Sequence, residues 1–187
     1  MLKQTAMIAA LVLSTAGAQA ATYNVDALAN SSTGGTALST ITLAAGESFT
    51  VLAGIADLWS AGPLPRYSNA NGLTANLFAT GSDESAASAG TLIGQNWGSY
   101  TQDGFTAAYG RLVGKIGSQY FALGTNSGGT ATSAGTLQLF YWDSNGADNF
   151  GSIAVNVSAV PEPATYAMLL AGLGLMGLMV RRRTSNT

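Results

Sequence analysis

The feature that most constrains the fold is an alternation of apolar and polar residues with a period of two. A strand with this period buries one face and exposes the other, whereas a helix needs a period near 3.6. Seven runs show it, at residues 23–28, 38–43, 48–53, 112–116, 120–123, 136–142 and 152–157. No sustained helical period occurs before residue 164. The pattern predicts an all-β fold.

Turn-forming residues separate these runs. Glycine supplies positive φ, proline fixes φ, and Asn, Asp and Ser bond to nearby backbone, so clusters of these residues favour turns. They occur at 45–47, 62–63, 71–72, 117–118, 127–129 and 145–146, and the Ser- and Ala-rich stretch 81–90 is predicted to be an exposed loop. Short strands with this punctuation indicate an antiparallel, jelly-roll-like β-sandwich.

Residues 1–20 have the three parts of a secretory signal peptide. Lys3 supplies the positive charge, 6–13 form an apolar run, and 18–20 read Ala-Gln-Ala, a cleavage site. A membrane anchor is the alternative, but the run is short for one. We therefore predict that the mature chain begins at Ala21 and that one domain, residues 21–159, contains the hydrophobic core.

A second targeting segment is predicted at residues 160–187. Near its start, Pro161 and Pro163 exclude helix on the N-terminal side, and Glu162 lies between them. Residues 164–180 carry no charge and as a helix reach roughly 25 Å, the short end of what spans a bilayer. A basic cluster that marks the cytoplasmic side follows, formed by Arg181, Arg182 and Arg183. The alternative is a buried helix with a solvated end.

These three parts, in this order, resemble the PEP-CTERM sorting signal of Gram-negative bacteria. The resemblance implies a single transmembrane helix that holds the precursor in the inner membrane. It also implies processing by an exosortase, a membrane protease-transpeptidase, near the Pro-Glu-Pro sequence. The expected destination is the cell surface or an exopolysaccharide matrix.

The composition excludes several classes of site. The chain has no Cys and no His, which rules out disulfides, zinc or copper sites built on those ligands, and His-based catalysis. Residues 21–160 have three basic side chains against eight acidic ones. Nucleic acid is therefore not an expected partner, because phosphate contacts need a basic surface.

The loop at 143–149 is the candidate site. It reads Asp-Ser-Asn-Gly-Ala-Asp-Asn, so Asp143, Asp148 and two amides lie within seven residues. Calcium takes six to eight oxygen ligands, which such a loop can supply, although the spacing differs from an EF-hand. The same residues are also typical of an ordinary hairpin loop, and the loop alone leaves both interpretations open.

Five segments resemble, in order, the calcium-dependent galactophilic lectins of bacteria of the PA-I type: 26–30, 41–54, 60–63, 110–117 and 137–157. The resemblance implies a β-sandwich with one calcium ion at its rim, whose coordination the sugar hydroxyls complete. Carried over to this chain, the side-chain ligands are Asp143, Asp148 and Asn149. The backbone ligands are the carbonyls of Ala61 and of a residue near Gly146.

The sugar contacts of that family include a His and a Gln before the strand at 112–116, and this chain has no His. The polar candidates in the corresponding region are Gln95, Asn96, Gln102 and Asp103. Trp97 and Tyr100 are candidates for stacking on a sugar face, with buried packing as the alternative for each.

Three functions are compatible with these features. The first is a calcium-dependent carbohydrate-binding module on the cell surface, and the second is a structural or adhesive component of an exopolysaccharide matrix with no defined small ligand. The third is a hydrolase with Asp143 and Asp148 as acid and base. Nothing in the sequence indicates a desolvated carboxylate, so we expect a protein that is not an enzyme.

Overall fold

Two four-stranded antiparallel sheets form the body of the protein in the computed structural model, which describes residues 20–160 and 168–177. The strands are β1 (Ala20–Asp26), β2 (Leu38–Leu43), β3 (Ser48–Ala53), β4 (Trp59–Ser60), β5 (Tyr67–Ser68), β6 (Leu77–Phe78), β7 (Leu92–Gly94), β8 (Ser99–Gln102), β9 (Phe105–Ala108), β10 (Arg111–Ile116), β11 (Gln119–Ala122), β12 (Asn126–Thr130), β13 (Gly135–Trp142) and β14 (Ser152–Val160). One sheet has the order β1-β14-β3-β12, and the other has the order β11-β10-β13-β2.

The seven strands that the alternation predicts are all present, as β1, β2, β3, β10, β11, β13 and β14. Antiparallel pairing fixes which face of each strand turns inward. Val25 of β1 pairs with Ile153 of β14, and Val157 of β14 pairs with Val51 of β3. The all-β, antiparallel prediction is confirmed.

The core lies between the two sheets. Val25, Val51 and Val155 from the first sheet share one buried cluster with Leu112 and Leu139 from the second. Each such side chain contributes about 1.5–3 kcal/mol when it is fully buried. Every buried hydrophobic side chain of the described part lies between residues 25 and 157, so the segment 21–160 contains this core and is suited to expression as a separate domain.

The turn expected at 127–129 is wrong. These residues lie in β12, which pairs with β3 at the edge of the first sheet. A Cβ on Gly128 would collide with the carbonyl oxygen of Phe49, and one on Gly129 would lie 2.6 Å from the ring of Phe121. The two glycines therefore allow close approach of neighbouring groups and do not mark a turn.

Residues 59–108 contain six short strands, β4 to β9, in three two-stranded pairs that the sequence does not predict. Strands of two to four residues are too short to show a period. Isolated bridges join Ser60 to Phe150 and Asn71 to Arg111. Residues 59–108 lie between the sandwich strands β3 and β10 and are called the insertion below. The two bridges join the insertion to the end of the sandwich where β13 ends and β14 begins. The predicted exposed loop 81–90 contains no strand.

The two targeting segments fall mainly outside the described residues. This holds for residues 1–19 of the predicted signal peptide, for the predicted Pro-Glu-Pro sequence at 161–163, and for the basic cluster at 181–183. Residues 168–177 form a helix, α1, inside the predicted span of 164–180. In the part of the chain that the structure describes, no helix has the length and apolar character needed to cross a bilayer.

Candidate functional site

An open pocket of about 280 Å³ lies at the end of the sandwich where β13 leads towards β14. The β13–β14 loop, the β4–β5 connection and the insertion before β10 build it together. Its lining residues are Ala61, Arg66, Leu73, Trp97, Tyr109, Asp143, Ser144, Asn145 and Asp148. The structure therefore brings three predicted metal ligands, Ala61, Asp143 and Asp148, to one pocket.

The β13–β14 loop is ordered by a short 3₁₀ helix, Gly146–Asp148. The Asn145 side chain caps this helix by accepting a hydrogen bond from the N–H of Ala147. Its Nδ2 donates to Asp148 Oδ1 over 2.8 Å, which directs that carboxylate. Gly146 is buried, and a Cβ there would lie 2.7 Å from Ser31 Oγ, so a larger residue has no room. The local sequence thus holds Asp148 at the pocket wall.

Asp143 is a desolvated carboxyl group at the end of β13, with only 4% of its surface exposed. Its backbone carbonyl accepts hydrogen bonds from Ser32 Oγ (3.0 Å) and Thr33 Oγ1 (2.7 Å). Burial raises the pKa of the Asp143 carboxyl, although backbone N–H groups of Ser144 and Asn145 lower it. The structure therefore contains the desolvated carboxylate that the sequence did not indicate.

Arg66 is the main site residue that sequence reasoning missed. Its Nη1 donates to Asp148 Oδ2 over 3.1 Å and to the carbonyl of Ala61 over 3.2 Å. Its Cζ lies 4.5 Å from the centroid of the Trp97 ring, a cation–π contact. The ion pair joins residues 82 positions apart, so no local pattern could reveal it.

The turn beside Arg66 depends on Gly62. This residue has φ of +120°, and an added Cβ would lie 2.7 Å from Asp148 Oδ2 and 2.9 Å from Arg66 Nη1. Ser60 Oγ donates a buried hydrogen bond of 2.6 Å to the carbonyl of Gly62. Glycine is therefore required where the turn meets the ion pair.

The other two predicted metal ligands, Asn149 and Gly146, do not line this pocket. Asn149 is buried, and its Nδ2 donates to the carbonyl of Ala27 over 3.2 Å. Among the described residues its Oδ1 has no hydrogen-bond partner. The carbonyl of Gly146 accepts the N–H of Asn149 over 3.3 Å. Of these two residues, Asn149 has an oxygen still free to accept.

The predicted calcium ion needs oxygens that Arg66 already binds. Six to eight oxygen ligands are usual for calcium, and in this arrangement the Ala61 carbonyl and one Asp148 oxygen contact the guanidinium. Residues 20–160 and 168–177 contain no group of three or more Asp, Glu, His or Cys placed to hold a metal. As folded, the site does not fit calcium unless Arg66 moves away. The calcium ligands stay a prediction.

The four polar candidates for sugar contacts do not line this pocket. Gln102 Nε2 donates to the carbonyl of Ser32 over 3.2 Å, and the Asp103 carboxylate accepts from the Tyr120 hydroxyl over 2.9 Å. Asn96 Oδ1 accepts the N–H of Gly98 over 2.8 Å, and Gln95 is half-buried next to β7. The ligand-binding roles of Gln95, Asn96, Gln102 and Asp103 stay a prediction.

The two aromatic candidates differ. Trp97 lines the pocket with 40% of its surface exposed. Tyr100 stacks on Tyr109 at 6.0 Å between ring centroids and packs against Trp142 at 5.8 Å. Trp97 is therefore the aromatic side chain available to a ligand. Tyr100 does not line the pocket but packs against Tyr109, which does.

The chain is similar to known proteins in its fold and in its C-terminal segment. The chain has no significant match among curated proteins. Among solved structures it is similar to the EclA N-terminal domain, a PllA-like lectin, with 22% sequence identity and a TM-score of 0.45 over 74% of this chain and 95% of that one. Residues 159–183 match the PEP-CTERM protein-sorting motif. The chain therefore carries a PEP-CTERM sorting signal, which implies export, C-terminal anchoring and processing by an exosortase-type enzyme.

Proposed function

We propose that the exported domain is a carbohydrate-binding module and that its ligand binds in the pocket at the β13–β14 end. The observation that carries this proposal is the combination of an exposed Trp97 ring with the carboxylates of Asp143 and Asp148 in one open pocket. A sugar ring offers an apolar C–H face to an aromatic side chain and hydroxyl groups to acceptors. Ser144 and Asn145 add further polar groups at the rim.

The position of the pocket supports a surface or matrix role. β14 begins near the pocket and ends at Val160, the second residue of the sorting motif at 159–183. Its nine residues extend over roughly 26–30 Å at about 3.3 Å per residue. The pocket therefore lies at the opposite end of β14 from Val160. If the chain is anchored through its C-terminal segment, this arrangement supports access of extracellular polysaccharide to the pocket.

We propose binding rather than hydrolysis, although the structure supplies a pair of carboxylates. A glycosidase needs one protonated carboxylic acid and one free carboxylate as base or nucleophile. Burial raises the pKa of Asp143, as such an acid requires. Both oxygens of Asp148, however, accept hydrogen bonds, one from Arg66 and one from Asn145. Assays with glycoside substrates should therefore show no turnover, and hydrolysis that Asp143→Asn abolishes would contradict this.

A glycan array tests the binding function. The fragment 21–160 should bind a defined set of glycans, and Trp97→Ala should weaken that binding at least tenfold because it removes the stacking surface. Phe78→Ala is the matched control, since Phe78 is also an exposed aromatic residue but lies outside the pocket. If the fragment binds no glycan with or without calcium, a structural matrix component with no small ligand becomes the better account.

A further inference from the structure

The guanidinium of Arg66 stands where the predicted calcium ion would have to bind. Its Nη1 contacts the carbonyl of Ala61 at 3.2 Å and the Asp148 carboxylate at 3.1 Å. These are two of the five groups that the family resemblance designates as calcium ligands. One nitrogen of the delocalised guanidinium cation therefore already joins a backbone carbonyl and a carboxylate, as a bound cation would.

Separate chain segments hold the guanidinium in this position. Trp97 supports one face of it, with 4.5 Å between Cζ and the ring centroid. Asn145 binds the second oxygen of Asp148, so that carboxylate is oriented from the other side. Gly62 provides the space, because any Cβ there would meet both Arg66 and Asp148. The site is thus shaped around an arginine side chain and not around an open cavity for an ion.

The guanidinium also keeps donors for a ligand. Arginine has five N–H groups, and in the described residues the hydrogen bonds of Arg66 come from Nη1. No acceptor among those residues pairs with Nε or Nη2, and Arg66 lines the pocket. A metal ion at a lectin site contacts sugar oxygens directly, and a guanidinium with free donors can make hydrogen bonds to the same kind of oxygen.

We infer that Arg66 replaces the metal ion in this pocket and that the site binds carbohydrate without calcium. Nε and Nη2 donate to sugar hydroxyl oxygens, and the carboxylates accept from neighbouring hydroxyls. The ligand in this inference rests on the proposed function. The replacement of the metal by Arg66 does not depend on that function, because calcium binding can be measured on the protein without a sugar.

The direct test is the melting temperature of the fragment 21–160 in calcium chloride and in EDTA. A ligand that binds only the folded state raises the melting temperature, so a metal-independent site should give the same value in both buffers. A rise of about 4 °C or more in millimolar calcium, lost in Asp148→Asn, would overturn the inference. The comparison of the two buffers uses the unmodified sequence, and Asp148→Asn is needed only to assign a rise, if one occurs, to this pocket.

Two variants test the role of Arg66 itself. Arg66→Met keeps an unbranched apolar stem but removes the guanidinium. This frees the Ala61 carbonyl and Asp148, so the variant should gain a calcium-dependent rise in melting temperature. Arg66→Lys keeps the positive charge and should gain none. If Arg66→Met does not respond to calcium, Arg66 is not holding a cation position and the inference is wrong.

Glycan binding in EDTA separates this inference from the proposed function. Binding that is unchanged within twofold in EDTA supports both. Binding that EDTA abolishes and calcium restores overturns the inference but leaves carbohydrate binding in place. If no glycan binds under either condition, the proposed function fails, and the melting experiment alone decides whether Arg66 replaces the metal.

Discussion

Arg66 affects the chemistry of the pocket more than the stability of the fold. About a third of each side chain in the Arg66–Asp148 pair is exposed, at 32% and 36%. Solvent screens such a pair, and pairs of this kind contribute about 0–1 kcal/mol to the free energy of unfolding. Removal of the guanidinium should therefore leave the domain folded, so the Arg66 variants can report on metal and ligand binding.

A second carboxyl group, Asp83, gives a prediction on pH. Hydrogen bonds from the Ser85 hydroxyl and the Thr80 N–H lower the pKa of Asp83 to about 2. A lowered pKa means that the ionised form stabilises the folded state above the ordinary pKa of 3.8, and that this contribution is lost as the pH falls towards 2. A carbon-detected NMR titration should give this low value.

The control for Asp83 is Ser85→Ala. This variant removes the hydrogen bond that lowers the pKa of Asp83 most, so that pKa should move upward, towards the ordinary value for aspartate. An Asp83 pKa near 3.8 in the unchanged protein would mean that the 81–90 loop does not hold these bonds in solution.

At the scale of elements, periodicity predicts the long strands and fails elsewhere for physical reasons. β13 and β14 alternate because one face of each meets the core, and the alternation is visible in the sequence. β12 has Gly128 and Gly129 at its centre, so it has no side chains there with which to show a period. Close approach of the Phe49 carbonyl and the Phe121 ring requires glycine at these two positions. In the sequence, two consecutive glycines are typical of a turn, so the strand is not predicted.

The edge strand β12 carries the element-scale prediction. Gly128→Ala should destabilise the domain by about 1–3 kcal/mol, because the added Cβ meets the backbone oxygen of Phe49, which cannot move without breaking the sheet. Asn126→Ala in the same strand is the control and should cost about 0.5 kcal/mol or less, because that side chain is exposed. Urea unfolding measures both, and equal costs for the two variants would contradict the close approach.

At the scale of the whole molecule, the site is assembled from segments that are distant in the sequence. Asp143 and Asp148 could be found because they lie in one short loop, and Ala61 was reached through the family resemblance. Arg66 and the pocket position of Trp97 could not be found, because both come from the insertion at 59–108, whose short strands show no period. Tertiary contacts determine which of its polar and aromatic residues face the pocket.

The course of β14 also predicts how the domain is oriented on the membrane. Val160, which belongs to the sorting motif, pairs with Ser48 at the end of β14 that is far from the pocket, whereas Ser144 lines the pocket. In the full chain reconstituted in nanodiscs, a fluorophore on Glu47→Cys should be quenched by spin-labelled lipid. One on Ser144→Cys should be quenched much less. Because the chain has no natural Cys, each label is unique. Equal quenching at both positions would contradict this orientation.

The measurement that tests the central claim most directly is the NMR response of the three tryptophan indole groups to a glycan that the domain binds. Trp59 and Trp142 are buried, and Trp59 Nε1 donates to the carbonyl of Gly110 over 2.9 Å. Trp97 is the one of the three that lines the pocket. Titration into fragment 21–160 should shift the Trp97 indole signal in a saturable way and leave the other two in place. Saturation of binding with no change at Trp97 would place the ligand elsewhere and contradict the account.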